Sequence, residues 1–89
     1  LIDSMKFYLM MKYEQVPEFR SELERSNGWY IVEDETKRKA SSWGGQLKGE
    51  TYEGSNLLGR LLMELRDKGM LDYSLPEDAL NFSLYLKDR

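Results

Sequence analysis

The clearest helical pattern in the chain lies in residues 54–69, which read GSNLLGRLLMELRDKG. Over about residues 56–68, apolar side chains fall on one face of a helix and charged side chains cover the opposite face. The apolar set is Leu57, Leu58, Leu61, Leu62 and Leu65. Gly54 or Ser55 would cap the start of this helix, and Gly69 would end it. We therefore expect an amphipathic helix that rests on a small core.

Two further helices are expected upstream of this one. Apolar side chains in residues 1–13 recur at helical spacing and cover most of the circumference of the helix. Such a helix is normally buried against several neighbours, more than a chain of this length can supply. Pro17 is expected to end the first helix and to open the second, where Glu18 suits the positive end of the helix dipole. Gly28 follows as a left-handed stop.

The remaining segments predict short strands and a long loop. Aromatic and β-branched side chains in residues 29–32 are typical of a strand, and the alternation in residues 80–86 predicts a second strand that could pair with it. Residues 33–54 form a polar stretch rich in glycine, and its two large aromatics, Trp43 and Tyr52, favour an ordered, site-forming loop. The expected fold class is α+β and mostly helical, with three helices, a long loop and short strands.

Length and composition exclude several kinds of site. The 89 residues contain neither cysteine nor histidine, which excludes disulfides, thiolate nucleophiles, histidine bases and imidazole metal ligands. We expect neither a metal nor a cofactor. The net charge of −3 argues against non-specific binding to nucleic acid, and no apolar run is long enough to cross a membrane. Since no export signal is visible either, we expect a cytoplasmic protein, and the small core suggests a piece of a larger domain.

Carboxylates, lysines and tyrosines are the acid–base groups left to such a chain. Residues 33–35, Glu-Asp-Glu, follow the predicted strand, and Trp43 lies downstream. An indole beside a carboxyl group can raise its pKa by desolvation, which suits a general acid; the alternative is a solvated acidic turn. Residues 43–45 are either a stacking platform for a ligand or an anchor for the loop. The helix start at residues 54–56 offers N–H groups that favour a phosphate, as any capped helix does.

Four stretches of the chain together resemble a known family. They are residues 12–20 (KYEQVPEFR), 31–33 (IVE), 43–44 (WG) and 54–66 (GSNLLGRLLMELR). In this order and at this spacing they are similar to the C-terminal half of the NADAR (YbiA-like) domain. The resemblance implies a NADAR/YbiA-like fold. On this basis residues 1–69 form the C-terminal part of such a domain, and residues 70–89 are a tail with a turn and a final strand.

The resemblance implies an N-glycosidase that hydrolyses N-glycosidic bonds of ADP-ribosyl or phosphoribosyl compounds, including ADP-ribosylated guanine and phosphorylated intermediates of the riboflavin pathway. Such a reaction passes through an oxocarbenium-like state that a carboxylate can stabilise. Glu33 is then the expected catalytic residue. The ligand-binding residues implied are Asp34, Trp43, Gly44 and Asn56. Trp43 would stack on the base or close the pocket, and Asn56 would bond to the ligand or orient the loop.

Two departures from the family pattern support an alternative. Ala40 stands where many members carry an aspartate, and the family's N-terminal half, with a pocket glutamate and lysine, has no counterpart here. The alternative is a non-catalytic fragment that binds a nucleotide-like ligand or a protein partner. Expected partners are an ADP-ribose-like or phosphorylated riboside small molecule, ADP-ribosylated nucleic acid, and a complementing N-terminal half or a second copy. A membrane is not an expected partner.

Overall fold

The computed structural model describes residues 2–71 of the chain. This part is an α+β structure with three helices and a two-stranded antiparallel sheet. In chain order the elements are α1 (Ile2–Gln15), α2 (Pro17–Arg25), β1 (Gln46–Lys48), β2 (Thr51–Glu53) and α3 (Leu57–Lys68). The α+β class and the three helices expected from the sequence are confirmed. The strand predicted for residues 80–86 lies outside the described residues.

The described residues belong to two compact units. The helical unit comprises residues 2–31 and 61–71, and therefore α1, α2 and most of α3. The loop unit is Val32–Arg60, which holds the hairpin of β1 and β2 and the first turn of α3. The division falls within α3, so one continuous helix contributes residues to both units.

Local sequence signals set the ends of the helices. Pro17 is the first residue of α2, where its missing N–H costs no hydrogen bond. Gly28 and Gly69 follow α2 and α3 with φ angles of +85° and +73°, in the left-handed region that glycine favours. The N–H of Gly69 donates to the carbonyl of Leu65 at 2.8 Å. The predicted helix ends are confirmed to within a few residues, and α3 begins at Leu57, one residue later than expected.

The strand predicted for residues 29–32 is wrong. These residues form irregular backbone, and Trp29 is 72% exposed. Strand propensity reflects packing against neighbouring strands, and within residues 2–71 this aromatic, β-branched run has no partner strand. In the described part of the chain, sheet pairing near this run starts only at Asp34, which forms a single parallel bridge with Gly45.

The observed sheet lies inside the predicted loop. β1 and β2 pair with Gln46 opposite Glu53 and Lys48 opposite Thr51, which leaves a two-residue turn between the strands. Gly49 occupies the first turn position with φ +67°, a conformation common in tight hairpins. The long loop is therefore ordered, as the sequence predicts, but it contains a hairpin that the sequence pattern did not predict.

The helical unit has a leucine-rich core to which α1 contributes little. Its buried apolar side chains are Leu9, Leu23, Leu61, Met63, Leu65 and Leu71. Leu9 is the buried residue of α1, whereas Phe7, Tyr8 and Met11 are 67%, 55% and 41% exposed. The sequence predicts that α1 has too few neighbours to bury its apolar surface, and these exposed apolar side chains agree with that prediction.

Cation–aromatic contacts link residues of α1 and α2. The Lys12 ammonium lies 4.7 Å from the centre of the Phe19 ring, and the Arg20 guanidinium lies 4.3 Å from that of Tyr13. Such contacts add modestly to the packing of two short helices.

Arg66 fixes α3 to the turn that follows α2. Its side chain is only 6% exposed, and its Nη1 donates to the carbonyl oxygens of Ser26 and Trp29 at 2.9 and 2.7 Å. Arg66, the last residue of the family-like stretch 54–66, therefore has a structural role in the helical unit. No helix within residues 2–71 combines the length and hydropathy needed to span a membrane.

Candidate functional site

Asn56 is the residue around which the loop unit is built. It is fully buried and has φ +49°, a left-handed conformation that asparagine tolerates better than most residues. Its Oδ1 accepts the N–H of Glu33 at 2.9 Å, and its own N–H donates to the carbonyl of Gly44 at 3.1 Å. Of the two roles expected for Asn56, the geometry matches the one of orienting the loop.

The start of α3 is covered by the loop that precedes the hairpin. Three successive N–H groups, those of residues 56–58, donate to carbonyl oxygens of residues 42–44 at 3.0–3.1 Å. The first N–H groups of a helix normally have no partner in the chain and are free to meet an anion. Here carbonyl oxygens of the loop accept these three N–H groups, so the N–H groups of residues 56–58 are already used and do not serve the phosphate contact expected at the helix start.

Gly44 lies against the acidic segment at a distance that only glycine permits. A Cβ at this position would lie 2.4 Å from the carbonyl oxygen of Glu33 and 2.6 Å from the side chain of Glu35. The next residue, Gly45, donates its N–H to Glu33 at 2.9 Å and accepts the N–H of Glu35 at 2.8 Å. The backbone of residues 33–35 is thus fixed along the two glycines.

Glu35 is the buried carboxylate of the acidic segment. It is 7% exposed, and it accepts hydrogen bonds from both the hydroxyl and the N–H of Ser41. The Ser41 hydroxyl is the main cause that holds the pKa of Glu35 below its ordinary value. Glu35 therefore holds the loop together and faces inward.

Asp34 points to the surface and is surrounded by hydroxyl groups. Its Oδ1 accepts the hydroxyl and the N–H of Thr36, and its Oδ2 accepts the Tyr52 hydroxyl at 3.3 Å. The Thr36 hydroxyl is the main cause that lowers the pKa of Asp34, while burial and the Asp34 charge raise the pKa of Tyr52. For Asp34, as for Glu35, the pKa shift is opposite to the rise that the sequence suggested beside Trp43.

Glu33 forms an ion pair at the surface of the loop unit. Its Oε1 accepts a hydrogen bond from Nη2 of Arg38 at 2.8 Å, and the side chain of Glu33 is 36% exposed. Nη2 of Arg38 also donates to the carbonyl of Asp34 at 2.7 Å. This pairing raises the pKa of Arg38. Arg38 was not among the predicted site residues; the signal for it was the basic run 37–39, which is separated from the acidic segment by Thr36 alone.

An open cleft of about 460 Å³ adjoins this ion pair. Its lining residues are Asp34, Thr36, Lys37, Arg38 and Leu47. Within residues 2–71, no three carboxylates lie close enough together to hold a metal ion. The cleft is instead a mixed surface of hydroxyl, carboxylate, cationic and apolar groups, which suits a polar organic ligand.

The other expected ligand-binding residues, Trp43, Gly44 and Asn56, are not part of the lining of this cleft. Gly44 and Asn56 are buried, so they shape the loop by their backbone and amide bonds. Trp43 is half-buried, and its carbonyl is fixed on α3 by the N–H of Leu58 at 3.0 Å. Asp34 is the predicted ligand-binding residue that lines the cleft.

Neither a scan of protein-family models nor a search of curated proteins or of solved structures gives a match to this chain.

Proposed function

We propose that the chain is the C-terminal half of a NADAR-type N-glycosidase. The reaction is hydrolysis of the bond between a base and a ribose that is phosphorylated or ADP-ribosylated. The observation that supports it best is the convergence of three family-like segments on Asn56. Its side chain holds Glu33, its N–H holds Gly44, and Asn56 itself belongs to the third segment.

Glu33 is the catalytic carboxylate of this proposal. As the bond from ribose C1′ to the base lengthens, positive charge develops on the ribose, and a nearby carboxylate stabilises it. A water molecule then attacks C1′, and the base leaves with the bonding electron pair and takes up a proton. Arg38 holds the carboxylate in place at 2.8 Å, and Trp43 stacks on the base or closes the pocket.

The remaining parts of the proposal follow the family. The substrates are ADP-ribosyl or phosphoribosyl compounds, with ADP-ribosylated nucleic acid as a further class. A complementing N-terminal half or a second copy of the chain completes the pocket, and the cytoplasm is the proposed compartment.

The test is hydrolysis of ADP-ribosylated guanine and of a phosphorylated riboside by the chain, alone and together with a complementing N-terminal half. We expect Glu33→Gln to lower the rate at least about 100-fold, with a melting temperature close to that of the parent chain. Glu50→Gln is the matched control, because Glu50 is an exposed carboxylate in the hairpin turn. Full activity of Glu33→Gln would remove Glu33 from the mechanism.

The second candidate function is binding without catalysis. It is favoured by Ala40, where the family carries an aspartate, and by the ion pair that already occupies Glu33. A fluorescence titration with ADP-ribose in a Trp29→Phe background would report on Trp43 alone, since the chain has two tryptophans. A fluorescence change without hydrolysis supports this second function. An unchanged spectrum at millimolar ligand favours Trp43 as an anchor of the loop.

A further inference from the structure

We infer that the cleft beside Glu33 binds a ribose carrying a single phosphate, with the phosphate at Lys37 and Arg38. The inference rests on the proposed function and selects, among its substrates, the phosphoribosyl class. The cleft volume of about 460 Å³ lies within the range of small-molecule sites. Its lining residues belong to the loop unit, as does Glu33.

Arg38 is held in position before any ligand arrives. Its Nη2 bonds to Glu33 at 2.8 Å and to the carbonyl of Asp34 at 2.7 Å, and its own carbonyl accepts Nε2 of Gln46 at 2.8 Å. Both guanidinium bonds within residues 2–71 use Nη2, so the Nη1 and Nε donors face no protein acceptor there. A guanidinium with a fixed plane and unused donors suits a phosphate, which accepts two parallel hydrogen bonds.

The alternative place for a phosphate is already filled. The N–H groups of residues 56–58 at the start of α3 donate to the loop carbonyls of residues 42–44. Among the exposed cations of the loop unit, Lys37 and Arg38 line the cleft, whereas Lys39 and Lys48 are not part of its lining. The cleft is therefore where the loop unit places cationic groups together next to the candidate carboxylate.

The charges of the cleft match one phosphate better than a diphosphate. Arg38 is partly neutralised by Glu33, and Asp34 adds a negative charge to the lining. The two cations, Lys37 and Arg38, therefore face two carboxylates, Asp34 and Glu33, so a second phosphate would meet a carboxylate and find no further cation. Oδ2 of Asp34 can instead accept a hydrogen bond from a ribose hydroxyl, and Leu47, 43% exposed, offers an apolar face to the sugar ring.

The test is a titration with ribose 5-phosphate, followed by NMR or calorimetry, with ribose and inorganic phosphate as reference ligands. We expect Lys37→Gln and Arg38→Gln each to weaken binding about tenfold, the loss of one charge-assisted hydrogen bond. Lys39→Gln and Lys48→Gln are the matched controls and should bind as the parent does. Lys37 is exposed, so its variant still tests the inference if Arg38→Gln fails to fold.

Several outcomes separate this inference from the proposed function. Binding that is unaffected by Lys37→Gln in a folded protein, or is equally strong for ribose, overturns the inference. Tighter binding of ADP-ribose than of ribose 5-phosphate overturns the choice of a single phosphate. Phosphate-dependent binding without any hydrolysis supports the inferred phosphate site and contradicts the proposed N-glycosidase activity. Hydrolysis that is lost in Glu33→Gln but unchanged in Lys37→Gln and Arg38→Gln supports the proposed N-glycosidase activity and contradicts the inferred phosphate site.

Discussion

Two glycines at neighbouring positions have very different surroundings in the loop unit. At Gly44, a Cβ would lie 2.4 Å from the carbonyl of Glu33, whereas at Gly45 the nearest atom would lie 3.2 Å away. The first distance requires the backbone to move, and the second requires only a small adjustment of the neighbour. The contact between the acidic segment and the loop over α3 thus depends on Gly44 in particular.

We predict that Gly44→Ala lowers the free energy of unfolding by about 1–3 kcal/mol, the usual range for overpacking. The variant should also disturb the backbone bonds that Gly44 and Gly45 make. Gly45→Ala is the control and should cost less. Urea unfolding of the two variants measures the difference, and equal stability would contradict the close contact at Gly44.

Glu35 gives the loop unit a dependence on pH. Because the Ser41 hydrogen bonds lower its pKa from the ordinary value of 4.5, the carboxylate stabilises the folded state above that pH. The contribution is lost as the pH falls from 4.5 through the lower pKa of the folded state. Asp34, with a pKa lowered mainly by Thr36, acts in the same direction.

We therefore predict that stability falls as the pH drops from about 5 to about 3, and that the fall is shallower in Glu35→Gln than in the parent chain. Unfolding by urea at a series of pH values measures this slope. Glu50→Gln, an exposed variant of the same chemistry, should keep the slope of the parent. A Glu35→Gln slope equal to that of the parent would mean that the Ser41 bonds do not set the pKa.

The candidate site is predictable from sequence only in part. The resemblance points to Glu33 and Asn56, but the bond between them depends on the left-handed backbone of Asn56, which asparagine permits without requiring it. The Glu33–Arg38 ion pair and the cleft depend in the same way on how the loop folds back. Residue type indicates which groups are available, and the loop path decides which of them meet.

At the scale of elements, α3 depends on Arg66 for its attachment to the turn after α2. The side chain is almost fully buried, and its planar head bonds to the carbonyls of Ser26 and Trp29. We predict that Arg66→Lys destabilises the chain by about 1.5–3 kcal/mol, because one ammonium cannot bond to these carbonyls and also to the Asp67 carboxylate, which Nε of Arg66 contacts at 2.7 Å.

The control for this prediction is Arg25→Lys. Arg25 lies on α2 with its side chain 71% exposed and pairs with Glu22, so its replacement should change stability by no more than about 0.5 kcal/mol. Thermal or urea unfolding compares the two variants. An Arg66→Lys variant as stable as Arg25→Lys would show that the guanidinium contacts of Arg66 contribute little.

The helices are predictable from the sequence because the residues that begin and end them act locally. The sheet is not predictable, since its short strands have only a weak sequence pattern. Pro17 and Gly69 act at their own positions, whatever the rest of the chain does. The strands of the hairpin have three residues each and are mostly polar, so only Gly49 marks the turn. Residues 29–32 have strong strand propensity but no partner strand in the described part of the chain.

At the scale of the whole molecule, the exposed side of α1 is the feature to explain. Phe7, Tyr8 and Met11 are 67%, 55% and 41% exposed on a helix that buries Leu9. Clustered apolar side chains at a surface favour association or the binding of an apolar partner. This agrees with the proposal that a complementing half or a second copy completes the domain.

We predict that the isolated chain binds a hydrophobic dye or self-associates, and that Phe7→Gln combined with Met11→Gln weakens both effects. Dye fluorescence and light scattering after size exclusion are the measurements. Glu14→Gln, an exposed polar change on the same helix, should leave both unchanged. A parent chain that is monomeric and binds no dye would contradict the need for a partner at α1.

The hydrogen bond between the Asn56 side chain and the Glu33 N–H also determines how the loop unit responds to redox conditions. It joins positions that are 23 residues apart, a loop that other small proteins close with a disulfide. This chain has no cysteine, and the loop is closed by a hydrogen bond to a side-chain amide, which neither thiols nor oxidants alter. The closure of the candidate site is therefore the same in a reducing and in an oxidising compartment.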